Sequence, residues 1–214
     1  MVNNMDNRVD EILKNSKFNL FIKRLFDILA SLFGILVMAI PMIIISIAIK
    51  LDSKGPVFFK QKRVKKNNKD FTILKFRTMV VDAPKLGMAI TVGDDPRITK
   101  VGKFLRKTKL DEFPQLFNVL VGDMSFVGPR PEVRKYVDMY SDSDRDILKI
   151  RPGITDLASI KYRDESEILD KSDNPEKTYV EEIMPNKIEL NKQYIENINL
   201  LNDIKIILQT LKIL

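Results

Sequence analysis

Two adjacent carboxylates, Asp111 and Glu112, open the stretch KLDEFPQLFNVLVGDMSFVGPRPE (Lys109 to Glu132), and an arginine framed by prolines, Arg130, closes it. The chain contains neither histidine nor cysteine. Their lack removes the usual general base, the commonest zinc ligand, disulfides and thiolate nucleophiles. Proton transfer or metal binding then falls to Asp, Glu, Lys or Tyr, and an all-oxygen donor set favours magnesium or manganese. In that setting an aspartate attacking phosphorus, with Mg²⁺ screening the charge, is among the few nucleophilic routes left. Arg106, one turn upstream, and Arg130 would offer bidentate donors to phosphate oxygens. The prolines on either side of Arg130 fix the backbone and pre-orient its fork.

The same residues have an ordinary reading. Pro114 is tolerated in the first turn of a helix, where its missing N–H would be unpaired anyway. The simplest helix therefore starts with Asp111 as N-cap, takes Glu112 and Phe113 into its first turn, and runs on through Leu116, Phe117 and Leu120. A carboxylate so placed stays ionised, and the spare N–H groups there can hold a phosphate. Capping and chemistry are thus both open for the acid pair, and GPRP alone is equally a rigid turn.

The elements that must carry these residues lie in a chain of 214 residues, enough for one domain and an accessory segment. With 44% hydrophobic residues a core can form. Thirty-six Lys and Arg against 29 Asp and Glu leave a net charge of +7. That excess points to anionic partners: nucleic acid, anionic lipid or phosphorylated small molecules.

Leu25 to Ile49 is apolar except for Asp27 near its start. As a straight helix it would measure roughly 37 Å, against roughly 30 Å of hydrocarbon in a bilayer. The run is too long for a signal peptide. Arg8, Lys14, Lys17, Lys23 and Arg24 precede it, and Lys50, Lys54, Lys60, Lys62, Arg63 and further lysines follow. Basic flanks favour the cytoplasmic side, and here both ends carry them. A helix that enters, turns near Pro41 and leaves by the same face satisfies both, while a plain span with a proline kink stays open. The expected organisation is an arm over 1–21, a re-entrant membrane helix over 22–50 and a cytosol-facing catalytic domain over 51–214.

Thr99 to Lys109 (TKVGKFLRKTK) places Val101, Phe104, Leu105 and Thr108 on one face within a ring of basic residues, as in helices lying on anionic interfaces. Leu200, Leu201, Ile204, Ile207, Leu208 and Leu211 form a second stripe, for which packing on the protein's own core is equally open. Val57 to Val64 and Phe71 to Met79, joined by KKNNKD, read as a β-hairpin. Val80 to Arg97 reads as loop, 138–146 as a charged surface segment, Tyr162 to Asn174 as acidic and turn-rich, and Glu176 to Asn197 as a helix interrupted at Pro185. The fold class is α+β and membrane-associated: mostly helical, with a small hairpin, a re-entrant helix and amphipathic interfacial helices.

KFRTM (Lys75 to Met79), LRKTKLDEFPQLFNVLVGDMSFVGPRPE and RPGIT (Arg151 to Thr155) occur in that order. With KRLFDI (Lys23 to Ile28), KLDSKGPVFFKQKR (Lys50 to Arg63) and the tail YIENINLLNDIKIILQTLKIL, they resemble the bacterial sugar transferases. These are the monotopic phosphoglycosyl transferases that begin glycan assembly on a polyprenyl phosphate carrier. The resemblance covers residues 22–214. It implies transfer of a phospho-sugar from a UDP-sugar to polyprenyl (undecaprenyl) phosphate with release of UMP, at the cytoplasmic face of the bacterial inner membrane. Asp111 would attack the β-phosphate, form a phosphosugar–enzyme intermediate and help bind Mg²⁺. Glu112 would act as base or orienter for the lipid phosphate, and Arg106 and Arg130 would hold phosphates. Lys75, Arg77 and Arg151 match motif positions assigned to substrate binding. Two departures stand out: Ile40 precedes the membrane proline where the family often has Ser, and Asp156 follows RPGIT where it often has Gly.

Two displacements through one aspartate imply ping-pong kinetics. Membrane lipid is an expected partner, and a homodimer is left open. The alternative is a non-catalytic, membrane-anchored basic module for anionic lipid or nucleic acid. Nucleic acid is not expected, because Trp is absent and the basic stretch Lys60 to Lys69 contains no aromatic for stacking.

Overall fold

The computed structural model describes residues 3–83 and 95–213. Helix α1 (Asn3–Asn15) leads into α2 (Lys17–Asp52), a single helix of 36 residues, roughly 54 Å long at 1.5 Å per residue. The turn expected at Pro41 is not formed as a break, for α2 is helical throughout with Pro41 inside it. One proline removes one intrahelical bond, and the bonds on either side are enough to carry the helix past it.

The burial of α2 is inverted relative to a water-facing helix. Its buried residues are Lys23, Asp27, Ser31 and Ile49, whereas Phe33, Leu36, Ile40 and Ile44 are more than 60% exposed. Lys23 and Asp27 face the rest of the protein and are satisfied there, while Ser31 Oγ donates to the Ile28 carbonyl of α2 itself at 3.1 Å. Lys23 Nζ donates to the Val127 carbonyl (2.9 Å) and pairs with Asp203, which also accepts from Tyr194 Oη (2.7 Å). Asp27 accepts from Ser125 Oγ and the Phe126 N–H, both at 3.1 Å. This charge in the apolar run is therefore an anchor for the chain at 125–126.

Both ends of α2 dock on the same body. At one end Arg24 donates to the Val119 and Leu120 carbonyls (2.7 and 2.9 Å). At the other, Met42, Ile45 and Ile49 pack with Phe76 and Leu105, and Asp52 accepts the Val101 N–H at 2.9 Å.

The expected hairpin is present. Strands β1 (Phe58–Lys65) and β2 (Lys69–Phe76) pair antiparallel, with Phe58 opposite Phe76 and Lys65 opposite Lys69. Asn67 and Asn68 both take the left-handed conformation (φ 61° and 57°) that a tight hairpin turn requires and that Asn tolerates best among side-chain-bearing residues. Next come α3 (Lys100–Lys107), a 3₁₀ turn (Leu110–Glu112), α4 (Gln115–Val121), β3 (Ser125–Val127) and α5 (Arg134–Val137). Of the loop read over Val80 to Arg97, residues 84–94 lie outside the described residues.

Strand β3 pairs in parallel with β4 (Gly153–Thr155), a contact the sequence reading did not foresee. A Cβ on Gly153 would lie 2.2 Å from the Gly128 nitrogen, so this close approach needs glycine. It sets Arg130, just past β3, beside Asp156, just past β4. The chain continues through α6 (Leu157–Lys161), α7 (Glu165–Asp170), α8 (Pro175–Thr178), a π-helical turn (Tyr179–Ile183), α9 (Met184–Glu196) and α10 (Leu200–Ile213). The expected interruption at Pro185 appears as that π turn, with Pro185 in the first turn of α9.

The main core joins Val64, Val127, Tyr136, Ile147, Ile195 and Ile206. Helix α10 docks through Asp203 and Ile206 and leaves Leu201, Leu208 and Leu211 exposed by 80%, 54% and 62%. Its apolar stripe is therefore only partly used by the protein's own core.

Candidate active site

Thr99 caps α3, its Oγ1 accepting the Gly102 N–H at 3.0 Å. A Cβ on Gly102 would lie 2.1 Å from the Thr78 carbonyl oxygen, so glycine is what lets α3 rest on the end of the hairpin. That contact brings Arg106 onto Thr78, with Nε to Oγ1 at 2.9 Å. Leu105 is buried and Phe104 is 59% exposed, so the apolar face foreseen for this helix is divided between core and surface.

After α3, Lys109 adopts the left-handed conformation (φ 56°) and turns the chain into the 3₁₀ turn. Leu110 and Phe113 pack beneath it against Ile49, Phe76 and Leu105. Asp111 is consequently not the N-cap of α4. That helix begins at Gln115 behind Pro114, and Asp111 makes no capping bond. Its side chain is buried, with 8% exposure, yet takes no hydrogen bond or ion pair from any described residue.

Glu112 is fully engaged. Its Oε1 accepts from Lys75 Nζ (2.7 Å) and Arg130 Nη2 (2.6 Å), and Arg130 Nη1 lies 3.5 Å from Oε2. The Arg130 backbone N–H donates to Asp156 Oδ2 at 3.1 Å, and Asp156 Oδ1 caps α6 through the Ser159 N–H at 2.6 Å. The Asp that departs from the resembled pattern thus ties the proline-framed turn to the start of α6.

These contacts set the electrostatics. Burial pushes the Asp111 carboxyl up from the usual range; Lys75 opposes this, Glu112 adds to it, and Arg106 and Arg130 oppose it further. Ionisation of Asp111 therefore depends on neighbouring cations and not on a helix end. Burial also works against the Glu112 anion, but Arg130 and Lys75 outweigh it and hold this carboxyl well below the usual range. Burial lowers Lys75, against the pull of Glu112.

Five of the seven residues singled out from sequence converge here: Asp111, Glu112, Lys75, Arg106 and Arg130. Arg77 and Arg151 do not join them. Arg77 grips the end of α2, donating to the Lys54 and Ser53 carbonyls (2.6 and 2.7 Å) and to Ser53 Oγ (2.9 Å). Arg151 Nε donates to the Gly122 carbonyl at 2.9 Å, just past α4. Both cations sit where the last carbonyls of a helix lack partners and its dipole is negative. Sequence reasoning missed Thr78, Glu132 and Tyr179. Glu132, beside the framed arginine, accepts from Tyr179 Oη and lies 3.7 Å from Arg63.

Among the described residues, no group of three or more acidic side chains is placed to hold a metal ion. Asp111, left open among the described residues, has the chemistry of a ligand for Mg²⁺, an ion that takes one or two protein oxygens and the rest from phosphates and water.

A family model described as bacterial sugar transferase matches residues 18–214. The chain belongs to the bacterial sugar transferase family. It is 40% identical over 198 residues to the UDP-N-acetylgalactosamine-undecaprenyl-phosphate N-acetylgalactosaminephosphotransferase of Aeromonas hydrophila, with 90% of this chain and 43% of that protein covered. It is 38% identical over 196 residues to the UDP-glucose:undecaprenyl-phosphate glucose-1-phosphate transferase of Klebsiella pneumoniae, with 90% of this chain and 40% of that protein covered. The exopolysaccharide production protein PSS of Rhizobium leguminosarum bv. phaseoli is 39% identical over 199 residues, covering 90% and 94%. The chain thus spans about two fifths of the length of the first two relatives. Every site residue named above lies within the span matched by the bacterial sugar transferase model.

Proposed function

We propose that the protein transfers a sugar-1-phosphate from a UDP-sugar to polyprenyl phosphate, releasing UMP, in two displacements through Asp111. One observation carries this reading: a buried carboxylate with no partner among the described residues, ringed by Lys75, Arg106 and Arg130. A structural carboxylate in that position would be paired with them. The relatives named for sugar-phosphate transfer to undecaprenyl phosphate support the same chemistry.

Arg130 and Lys75, gathered on Glu112, and Arg106, steadied by Thr78, place donors around the diphosphate. An Asp111 oxygen attacks the β-phosphorus and the bond to the UMP oxygen breaks. An oxygen of the lipid phosphate then attacks the same phosphorus and frees Asp111. Mg²⁺, held by Asp111 and phosphate oxygens, would supply charge neutralisation. Purified protein given a panel of UDP-sugars, polyprenyl phosphate and Mg²⁺ is expected to release UMP with at least one of them, with parallel double-reciprocal lines. No turnover with any sugar sinks the reading.

The protein sits in the cytoplasmic leaflet of the inner membrane without crossing it. The outward apolar faces of α2 and α10 would lie in lipid, while both ends of α2 dock on one body, which a straight span would place on opposite sides. The cysteine-free chain makes this testable with single Asn3→Cys and Lys54→Cys variants in intact cells. Neither is expected to react with an impermeant thiol reagent from outside, and labelling of one but not the other establishes a span.

A further inference from the structure

The proline-framed turn that presents Arg130 is held from two sides. Up to Arg130 its backbone bonds run to β4 and the residue after it. The Gly128 N–H donates to the Thr155 carbonyl (3.1 Å), the Pro129 carbonyl accepts the Gly153 N–H (3.0 Å), and the Arg130 N–H reaches Asp156. Beyond Arg130 the bonds run to β1. The Glu132 carbonyl accepts the Val64 N–H at 2.9 Å, and the Pro131 carbonyl accepts from Arg63 Nη1 at 3.1 Å. Proline has no N–H to offer, so the backbone of Pro131 can be tied only through its carbonyl, and Arg63 is the donor it meets.

That guanidinium is itself braced. Arg63 Nε and Nη2 both donate to Gln61 Oε1, at 3.0 and 2.8 Å, and Nη1 lies 3.7 Å from Glu132 Oε2. Glu132 is fixed in turn by Tyr179 Oη. Burial works against the charge on Arg63, Glu132 supports it, and Arg130 opposes it. Gln61 and Arg63, two positions apart on β1, share a face of the hairpin. Phe59, the next residue on that face, stands opposite Lys75. One face of the hairpin thus sets both cations that meet on Glu112 Oε1: Lys75 directly, and Arg130 by way of the Pro131 carbonyl. Only a guanidinium does this, because one edge of its fork takes Gln61 while the other reaches Pro131.

We propose that Arg63 is a positioning residue for the transfer reaction: it fixes the Pro131 end of the framed turn and so aims the Arg130 fork at Glu112 and the diphosphate, without touching substrate. The proposal rests on the transfer reading above, in which Arg130 holds phosphate. With Arg63 replaced, the turn keeps its bonds to the β4 side and the one from Val64, so the fold survives while Arg130 loses its aim.

The test compares full-length parent protein, Arg63→Lys, Arg130→Ala and the double variant in detergent, reading UDP affinity, UMP release and melting temperature. Arg63→Lys is expected to weaken UDP binding and lower kcat/KM by about tenfold when Arg130 is present, and by less than about twofold when it is Ala, because the lost bonds act through that side chain. Where Arg63→Lys itself lowers the melting temperature, Gln61→Met removes the brace and keeps the guanidinium. It should give the same pattern with a loss of about threefold. Equal losses in both Arg130 backgrounds overturn the assignment and leave Arg63 a purely structural residue, and unchanged UDP affinity and kcat/KM overturn it too. Failure of the transfer reading looks different: losses of UDP affinity that depend on Arg130, without UMP release by the parent. UMP release with losses independent of Arg130 sinks the positioning role alone, and a parent that binds no UDP removes both.

Discussion

Asp111→Asn is expected to abolish UMP release, lowering kcat by about 10⁴-fold or more, since loss of a covalent nucleophile leaves only binding and electrostatic contributions. Asn keeps the size of the side chain and its place above Leu110 and Phe113, so the fold should melt as before. Binding should survive. The substitution removes both the negative charge that repels the diphosphate and a carboxylate ligand for Mg²⁺, two opposing effects, and leaves Lys75, Arg106 and Arg130 facing the ligand, so UDP affinity should stay within about tenfold of the parent. The result is a collapse in kcat with a small change in KM, the opposite of what a purely structural carboxylate would give. Mass spectrometry after mixing with donor alone gives a second readout. A phosphosugar adduct on the parent protein, absent from the Asn variant, is the expected pattern. Retained turnover, or an adduct on another residue, removes Asp111 from the mechanism.

Features written in local pattern were legible in the sequence. The apolar run of α2, the hairpin with its Asn-Asn turn and the break before Pro185 all rest on residues within a few positions of one another. The β3–β4 pair was not legible, because its strands are three residues each and their pairing is long-range. Nor was the setting of Asp111. A capping reading follows from Asp, Glu and Pro in sequence, but the chain turns earlier, at Lys109. A left-handed lysine carries no local signal, since packing of Leu110 and Phe113 imposes it from outside. The arginines divide for the same reason. Arg106, Arg130, Arg77 and Arg151 are equivalent as motif residues, and only tertiary structure shows that two of them are committed to carbonyls at helix ends. Convergence of Lys75, Arg106, Asp111, Glu112 and Arg130 became visible as a site once β2, α3 and the framed turn were assembled.

Glu112→Gln is expected to lower kcat/KM by about 10²- to 10³-fold, and the way it does so separates two roles for this residue. If Glu112 accepted a proton from the lipid phosphate, its own ionisation would appear as the acid limb of the pH–rate profile, and Gln would abolish that limb. The geometry argues for the other role. Arg130 and Lys75 hold the carboxyl well below the usual range, which makes it a poor proton acceptor. A phosphate monoester, with a second pKa near about 6, is already largely ionised at neutral pH and needs no base. What Glu112 does supply is one oxygen on which Lys75 Nζ and Arg130 Nη2 meet, at 2.7 and 2.6 Å. Gln turns two charge-assisted bonds into weaker ones, each change worth on the order of 1.5 kcal/mol, and leaves two cations together without their counter-charge. The plateau of the profile should therefore fall while its acid limb stays in place. Because Glu112 acts through Arg130, combining Glu112→Gln with Arg130→Ala should cost clearly less than the product of the separate losses. A profile that flattens at low pH, or fully multiplicative losses, would make Glu112 the base and leave the two cations to be positioned by other contacts.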